Sequence, residues 1–87
     1  MNDETANIDR KALGQALRTL RERAGMTQKE LAQRAGTGHT YVSRVEAGRI
    51  DAGWSTLRRL LRALDASPRQ LAEAITKAER QEAEERR

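Results

Sequence analysis

Apolar side chains recur along this chain at the spacing of amphipathic helices. The first predicted helix covers residues 9–24, because four apolar positions fall on one face at i, i+4, i+7 and i+11: Leu13, Leu17, Leu20 and Ala24. A later segment gives the clearest stripe, with leucines at i, i+3, i+4 and i+7: Leu57, Leu60, Leu61 and Leu64. Together with three shorter apolar clusters, these patterns predict an all-α fold of five helices.

Polar residues and glycines between the apolar clusters predict where the helices begin and end. Five residues can cap a helix start: Asp9, Thr27, Thr37, Ser55 and Ser67. Two of them open a capping box, in which a side chain three residues later accepts from the amide of the cap residue: Thr27 with Glu30, and Ser67 with Gln70. Glycine follows the first three helices at positions 25, 36 and 48, where a left-handed backbone is needed.

The predicted third helix, residues 38–47, has an apolar inner side and a polar outer side. Val42 and Val45 are three residues apart and define the inner side. The outer side carries polar or small residues and can enter a groove: Thr40, Ser43, Arg44 and Ala47. Glu46 lies four residues after Val42, near the inner side. Its carboxylate needs a partner, because an unpaired buried charge is strongly unfavourable.

The helical pattern weakens towards both ends of the sequence. Residues 1–8 are polar and show no period, which predicts a flexible acidic N-terminus. Residues 9–76 hold the patterned helices and are predicted to form one domain. Residues 77–87 are almost wholly charged, and they are expected to be either a helical extension or a tail.

The charge of the chain is concentrated in its middle. The net charge is +4, but residues 10–69 alone hold thirteen Lys and Arg against five Asp and Glu. A basic segment between acidic or balanced ends indicates a polyanionic partner, most simply nucleic acid. One Trp, one Tyr and no Phe leave little aromatic surface on which unpaired bases could stack. Duplex DNA is therefore the favoured partner.

Several other functions find no support in the sequence. There is no cysteine and one histidine, His39, so neither a disulfide nor a metal site is expected. The sequence shows no combination of a nucleophile, a general base and an orienting group, and no glycine-rich phosphate loop. Neither enzymatic activity nor a bound cofactor is therefore expected. No apolar run reaches the length of a membrane span, and the first residues are acidic, so a cytoplasmic protein is expected.

Residues 27–49, TQKELAQRAGTGHTYVSRVEAGR, resemble the Cro and phage-repressor family of DNA-binding domains, also called the xenobiotic-response-element type. With the leucine stripe that follows, the resemblance extends over residues 13–71. It implies a compact five-helix, lambda-repressor-like helix-turn-helix fold whose third helix enters the major groove of duplex DNA.

The resemblance also implies a role for individual residues. Three on the third helix match positions that usually meet base edges: His39, Thr40 and Arg44. Four others match positions expected to contact the DNA backbone: Gln28, Tyr41, Ser43 and Arg49. Arg21 matches the arginine that pairs with a buried glutamate, here Glu46. The sequence departs from the family at Gly38, which predicts a weak first turn of the third helix, and at Ala47, where asparagine is common.

A dimeric, sequence-specific transcriptional regulator associated with the nucleoid is the function expected from these features. One helix reads few base pairs, so specificity normally requires two half-sites and a two-fold dimer. Four apolar residues are candidates for the dimer interface: Trp54, Leu64, Leu71 and Ile75. Two alternatives stay open: a protein-interaction module, antitoxin-like or directed at another regulator, with DNA binding reduced or lost, and a nucleoid binder without sequence preference.

Overall fold

The structure, a computed structural model, describes residues 3–86, with side chains from Asp9 to Arg86. Five helices follow one another: α1 (Asp3–Arg23), α2 (Gln28–Ala35), α3 (His39–Glu46), α4 (Trp54–Ala63) and α5 (Pro68–Glu85). Residues 3–86 contain no strand, which confirms the predicted all-α, five-helix fold. None of the helices in this range is long and apolar enough to cross a membrane.

The two outer helices are longer than the sequence pattern predicted. α1 begins at Asp3 rather than at residue 9, so the prediction of an unstructured segment is wrong for residues 3–8, while residues 1 and 2 lie outside the described range. Residues 3–8 contain neither glycine nor proline, and extending an existing helix costs far less than starting one. α5 likewise continues through the charged segment to Glu85, the helical one of the two alternatives for residues 77–87.

Both predicted capping boxes are present. The Thr27 hydroxyl accepts from the Glu30 amide at 3.0 Å, and the Glu30 carboxylate accepts from the Thr27 amide at 3.1 Å. That backbone hydrogen bond lowers the pKa of Glu30, because it favours the charged carboxylate. At the start of α5, Ser67 and Gln70 make the same two bonds at 3.1 and 2.7 Å. The predicted glycine terminators are confirmed too, with φ of 71°, 70° and 74° at positions 25, 36 and 48.

The predicted caps Asp9, Thr37 and Ser55 are wrong, and Asp9 lies inside α1. The Thr37 amide donates to the Ala32 carbonyl at 2.9 Å, which completes the end of α2, so α3 starts after the extended Gly38. Gly38 is therefore the N-cap of α3 and not part of a weak first turn. α4 begins one residue before Ser55, with Gly53 as its extended N-cap. Neither glycine can supply a side-chain cap.

The hydrophobic core draws on all five helices. Its buried members include most of the predicted apolar positions: Ala16, Leu17, Leu20, Leu31, Ala32, Ala35, Val42, Val45, Leu57, Leu60, Leu61, Leu64 and Leu71. Leu13 is only half-buried, and Ala24 is exposed because the chain leaves α1 at Arg23. Ala12 and Ala78 are also buried, although the sequence pattern did not predict them as core residues. They lie on α1 and α5, which pack against each other.

α1 approaches α3 so closely that position 14 cannot carry a side chain. A Cβ atom placed on Gly14 would lie 2.3 Å from the carbonyl oxygen of Val45 and 2.6 Å from that of Glu46. Real Cβ atoms do not come this close to backbone oxygens, so any larger residue must push the two helices apart. The missing side chain therefore sets the distance between α1 and the end of α3.

An ion pair joins the same two helices near their polar edge. Arg21 Nε donates to Glu46 Oε2 at 2.7 Å, and Arg21 Nη2 donates to Glu46 Oε1 at 3.0 Å. The two side chains are 12% and 4% exposed, and the hydrogen bond to Glu46 raises the pKa of Arg21. The structure thus confirms the predicted pairing and supplies the partner that Glu46 requires.

Gly14→Ala is expected to destabilise the fold by about 1–3 kcal/mol, because the new methyl group meets backbone oxygens. Helix propensity alone predicts the opposite sign, since alanine is favoured over glycine inside a helix by roughly 0.5–1 kcal/mol. The free energy of unfolding in urea distinguishes the two. Gly53→Ala is the control, because a Cβ there meets no atom within 4 Å. Stabilisation by Gly14→Ala would contradict the close approach.

Arg21→Ala is expected to cost about 1–3 kcal/mol of folding free energy, because it leaves the Glu46 carboxylate, which is mostly shielded from water, without its charged partner. Arg18→Ala is the matched control on the same helix. Arg18 pairs with Glu22 at 3.6 Å, but both side chains are more than half exposed, at 56% and 57%. That loss is expected to stay below about 1 kcal/mol. Equal losses in the free energy of unfolding in urea would show that burial does not increase the stabilising effect of the Arg21–Glu46 pair.

Candidate nucleic-acid interface

α3 separates its packing residues from its polar residues. Val42 and Val45 are buried in the core and fix the rotation of the helix. With those two residues turned inward, the three residues predicted to read bases are all exposed: His39, Thr40 and Arg44. The outward face of α3 therefore presents one guanidinium, one imidazole and one hydroxyl group to solvent.

These side chains share one shallow, open recess, which we call the reading recess. It is lined by six residues: His39, Thr40, Ser43, Arg44, Ala47 and Arg49. The predicted base-reading residues thus lie beside two of the predicted backbone contacts. Two arginines at its edge supply planar donors that suit phosphate oxygens or the O6 and N7 atoms of guanine. Ala47 contributes only a methyl group, so it leaves space where a larger polar side chain would project.

Tyr41 lies apart from the reading recess. It is half-buried and packs against the hydrophobic core. Its predicted contact with the DNA backbone stays a prediction, and its aromatic ring helps to anchor α3 in the core.

Gln28 occupies the first position of α2 and is held by the buried ion pair. Its Nε2 atom donates to Glu46 Oε1 at 3.0 Å, and the side chain is half-buried. The sequence did not predict this bond, because 18 residues separate the partners and only the packing of α2 against α3 brings them together. The Glu46 carboxylate therefore accepts three hydrogen bonds, two from Arg21 and one from Gln28.

Carboxylates of α5 lie beside the far end of α3. A second shallow recess contains side chains of three helices and the residue after α3: Lys11, Gln15, Glu46, Ala47, Ala78, Gln81, Glu82 and Glu85. Ala47 lines both recesses, so the acidic end of α5 borders the reading recess. This arrangement was not predicted from the sequence, since it depends on α5 continuing as a helix to Glu85.

The residues predicted for a dimer interface have different surroundings. Leu64 and Leu71 are buried in the core of the chain itself, so they offer little surface to a second copy, and that part of the prediction is wrong. Ile75 is half-buried against the core. Trp54 is 61% exposed at the start of α4, where the guanidinium of Arg58 lies 5.8 Å from its ring centroid.

Arginines of α4 are not equivalent to those of the reading recess. The Arg59 guanidinium donates weakly to the Gly36 carbonyl and to the Thr56 hydroxyl, both at 3.5 Å, so it covers the end of α2. Arg62 is exposed on the same helix. Within the residues whose side chains are described, no group of three or more His, Cys, Asp or Glu is placed to hold a metal ion.

Comparison with known proteins assigns the chain to a family. The family model for a helix-turn-helix domain matches residues 12–74. An uncharacterized HTH-type transcriptional regulator of Sinorhizobium fredii, y4dL, is 37% identical over 65 residues, which is 70% of this chain and 33% of that protein. The chain spans less than half the length of the curated relatives that it matches.

Solved structures of regulators share the fold. The clp gene regulator ClgR from Corynebacterium glutamicum superposes with a TM-score of 0.84 at 31% identity, covering 90% of this chain and 83% of that one. The restriction-modification controller protein C.AhdI from Aeromonas hydrophila gives a TM-score of 0.70 at 38% identity, covering 72% and 96%. By the match over residues 12–74 and by these likenesses, the chain belongs to the helix-turn-helix domain family of the Cro and phage-repressor type.

Proposed function

We propose that this chain is a sequence-specific duplex-DNA-binding transcriptional regulator that reads the major groove with α3. The observation that carries the proposal is the reading recess. Core packing of Val42 and Val45 turns His39, Thr40 and Arg44 outward together. A helix-turn-helix protein inserts this face of its second motif helix into the major groove.

Arg44 is the central base contact in this proposal. Its planar fork can donate to O6 and N7 of one guanine, the commonest specific contact in the major groove. Thr40 is assigned either a hydrogen bond to a base or contact with a thymine methyl group, and His39 a base edge at the start of the helix. These three groups give the surface different preferences at neighbouring base pairs.

Backbone contacts hold the reading helix in register. Ser43 and Arg49 line the reading recess and are placed to meet phosphates on its border. Gln28 stands at the N-terminus of α2, where the helix dipole favours an anion, and is assigned a phosphate on the other side of the groove. Tyr41 is also assigned a backbone contact, through the part of its side chain that does not pack against the core.

A regulatory role is supported by the relatives. ClgR is described as a clp gene regulator and C.AhdI as a restriction-modification controller, and both share the fold at more than 30% identity. By the same likeness we assign this chain control of transcription in the cytoplasm, at the nucleoid. The proposed role is binding and not catalysis.

The functional unit is proposed to be a homodimer with two reading helices. One α3 can cover only a few base pairs, and two-fold pairing places a second copy about one helical turn away. Trp54 is the apolar residue best placed to nucleate the contact, because large exposed aromatics beside arginine are typical of interface hot spots. The same surface also favours the alternative, a module on this fold that binds another protein.

Arg44→Ala is expected to relax base preference at one operator position by about 1–3 kcal/mol, because it removes the bidentate contact. The measurement is selection of bound sites from random duplexes, followed by affinity for each base at that position. Gln28→Ala should instead lower the affinity for all duplex sequences by a similar factor. Arg62→Ala, an exposed arginine outside the reading recess, is the matched control. Unchanged discrimination in Arg44→Ala would show that Arg44 does not read a base.

The same selection distinguishes the proposal from its rivals. A chain that binds duplexes without sequence preference, with affinity falling steeply as salt rises, is a nonspecific nucleoid binder. A chain that binds no duplex but forms a stable complex with another protein is an interaction module. Either result would overturn the proposed function.

Trp54→Ala is expected to weaken self-association by about 2 kcal/mol, which corresponds to a roughly thirtyfold higher dissociation constant. Sedimentation equilibrium measures this directly. Lys29→Ala, an exposed residue on α2, serves as the control. If the wild-type chain sediments as a monomer both with and without a selected operator, the dimer proposal is wrong.

A further inference from the structure

We propose that Glu46 is a positioning residue for DNA binding: it holds the side-chain amide of Gln28 so that the second N–H of that amide points to a backbone phosphate. The inference rests on the proposed function. It goes beyond the structural ion pair, because it assigns the carboxylate a role in contact with the ligand through Gln28.

The first step is that the Glu46 carboxylate is buried and fully engaged. Its side chain is 4% exposed, and its oxygens accept from Arg21 Nε at 2.7 Å, Arg21 Nη2 at 3.0 Å and Gln28 Nε2 at 3.0 Å. An ion pair with Arg21 alone would satisfy the charge. The third donor therefore requires its own explanation, since it comes from a side chain at the edge of the proposed interface.

The second step concerns the orientation of the amide. A carboxylate only accepts hydrogen bonds, so the Gln28 amide must present its NH₂ group to Glu46 and not its oxygen. One of the two hydrogens on Nε2 points at Glu46 Oε1. Because the amide is planar, the direction of the other hydrogen is then fixed as well. Gln28 is half-buried, so part of its side chain remains accessible to a phosphate, and we assign the second donor to that contact.

The third step is that the same carboxylate also fixes the backbone next to Gln28. Arg21, held by Glu46 through two bonds, donates from Nη1 to the Met26 carbonyl at 2.8 Å. Met26 precedes the capping box that starts α2. Glu46 therefore controls Gln28 by two routes, directly at the side chain and through Arg21 at the start of its helix.

These contacts join the proposed phosphate-binding donor and the reading helix in one hydrogen-bonded unit. Glu46 is the last residue of α3, two positions after Arg44, and Gln28 is the first residue of α2. A phosphate bound by Gln28 is thus in register with the base read by Arg44. Ordering the amide before DNA arrives also removes part of the entropic cost of binding, which corresponds to an affinity gain of about two- to tenfold.

A double-mutant cycle in operator affinity tests the role. Glu46→Gln keeps the size of the side chain but removes its charge and one of its two acceptors. We expect it to weaken operator binding about two- to tenfold in the wild-type background, and to have little further effect once Gln28→Ala is present. Equal losses in the two backgrounds would overturn the inference, because they would show that Glu46 affects affinity only through the fold.

Side-chain amide exchange in the wild-type chain provides a second test that does not depend on Glu46→Gln folding. One Gln28 side-chain hydrogen should be protected in the free protein, and the other should become protected only on a bound operator. Gln33 is the control, because it is exposed on the same helix. Exchange of both Gln28 hydrogens as fast as those of Gln33 would overturn the inference. Failure of the wild-type chain to bind any duplex specifically would overturn the proposed function and this role together.

Discussion

The buried carboxylate of Glu46 is the constraint on which the arrangement of the first three helices depends. A charge with so little exposure is tolerated only when donors replace its lost water, and here those donors come from α1 and α2. An apolar contact tolerates small sliding motions, whereas hydrogen bonds to a carboxylate require a narrow range of distances and angles. The angle between α2 and α3, which defines a helix-turn-helix motif, is therefore set by polar geometry as well as by packing.

Local patterns in the sequence were sufficient where local energetics decide the structure. The two capping boxes and the leucines of α4 were predicted correctly, because each depends on residues within one or two helical turns. Thr37 and Ser55 failed as caps for a different reason. Each is a good cap residue, but Thr37 completes the end of α2 and the N-cap falls on the next residue, Gly38, whereas Ser55 follows a helix start that Gly53 already caps. Ala12 and Ala78 were missed because alanine gives little hydrophobic signal among charged neighbours.

The residues of the reading recess could be predicted from the sequence, but the hydrogen bond that links Gln28 to Glu46 could not. The residues of the reading recess followed from the family resemblance and from the inward pair of valines. The bond between Gln28 and Glu46 joins two helices, and no spacing rule within one helix can reveal it. The candidates for the dimer interface illustrate a different limit of sequence patterns. An apolar stripe reports that a face is buried, but Leu64 and Leu71 are buried by their own chain. Only three-dimensional packing distinguishes that from burial by a partner.

α3 divides its eight residues between two independent tasks. Its attachment to the core needs little more than Val42 and Val45, while His39, Thr40 and Arg44 make no contribution to that core. In the proposed function, substitutions at these exposed positions change the operator, and the core packing of α3 does not depend on them. In evolution, a duplicated copy of such a chain can acquire a new target through a few mutations while its stability is unchanged. For protein engineering, the proposed function makes residues 39, 40 and 44 the positions to vary in a search for altered specificity, with positions 14, 21 and 46 kept unchanged.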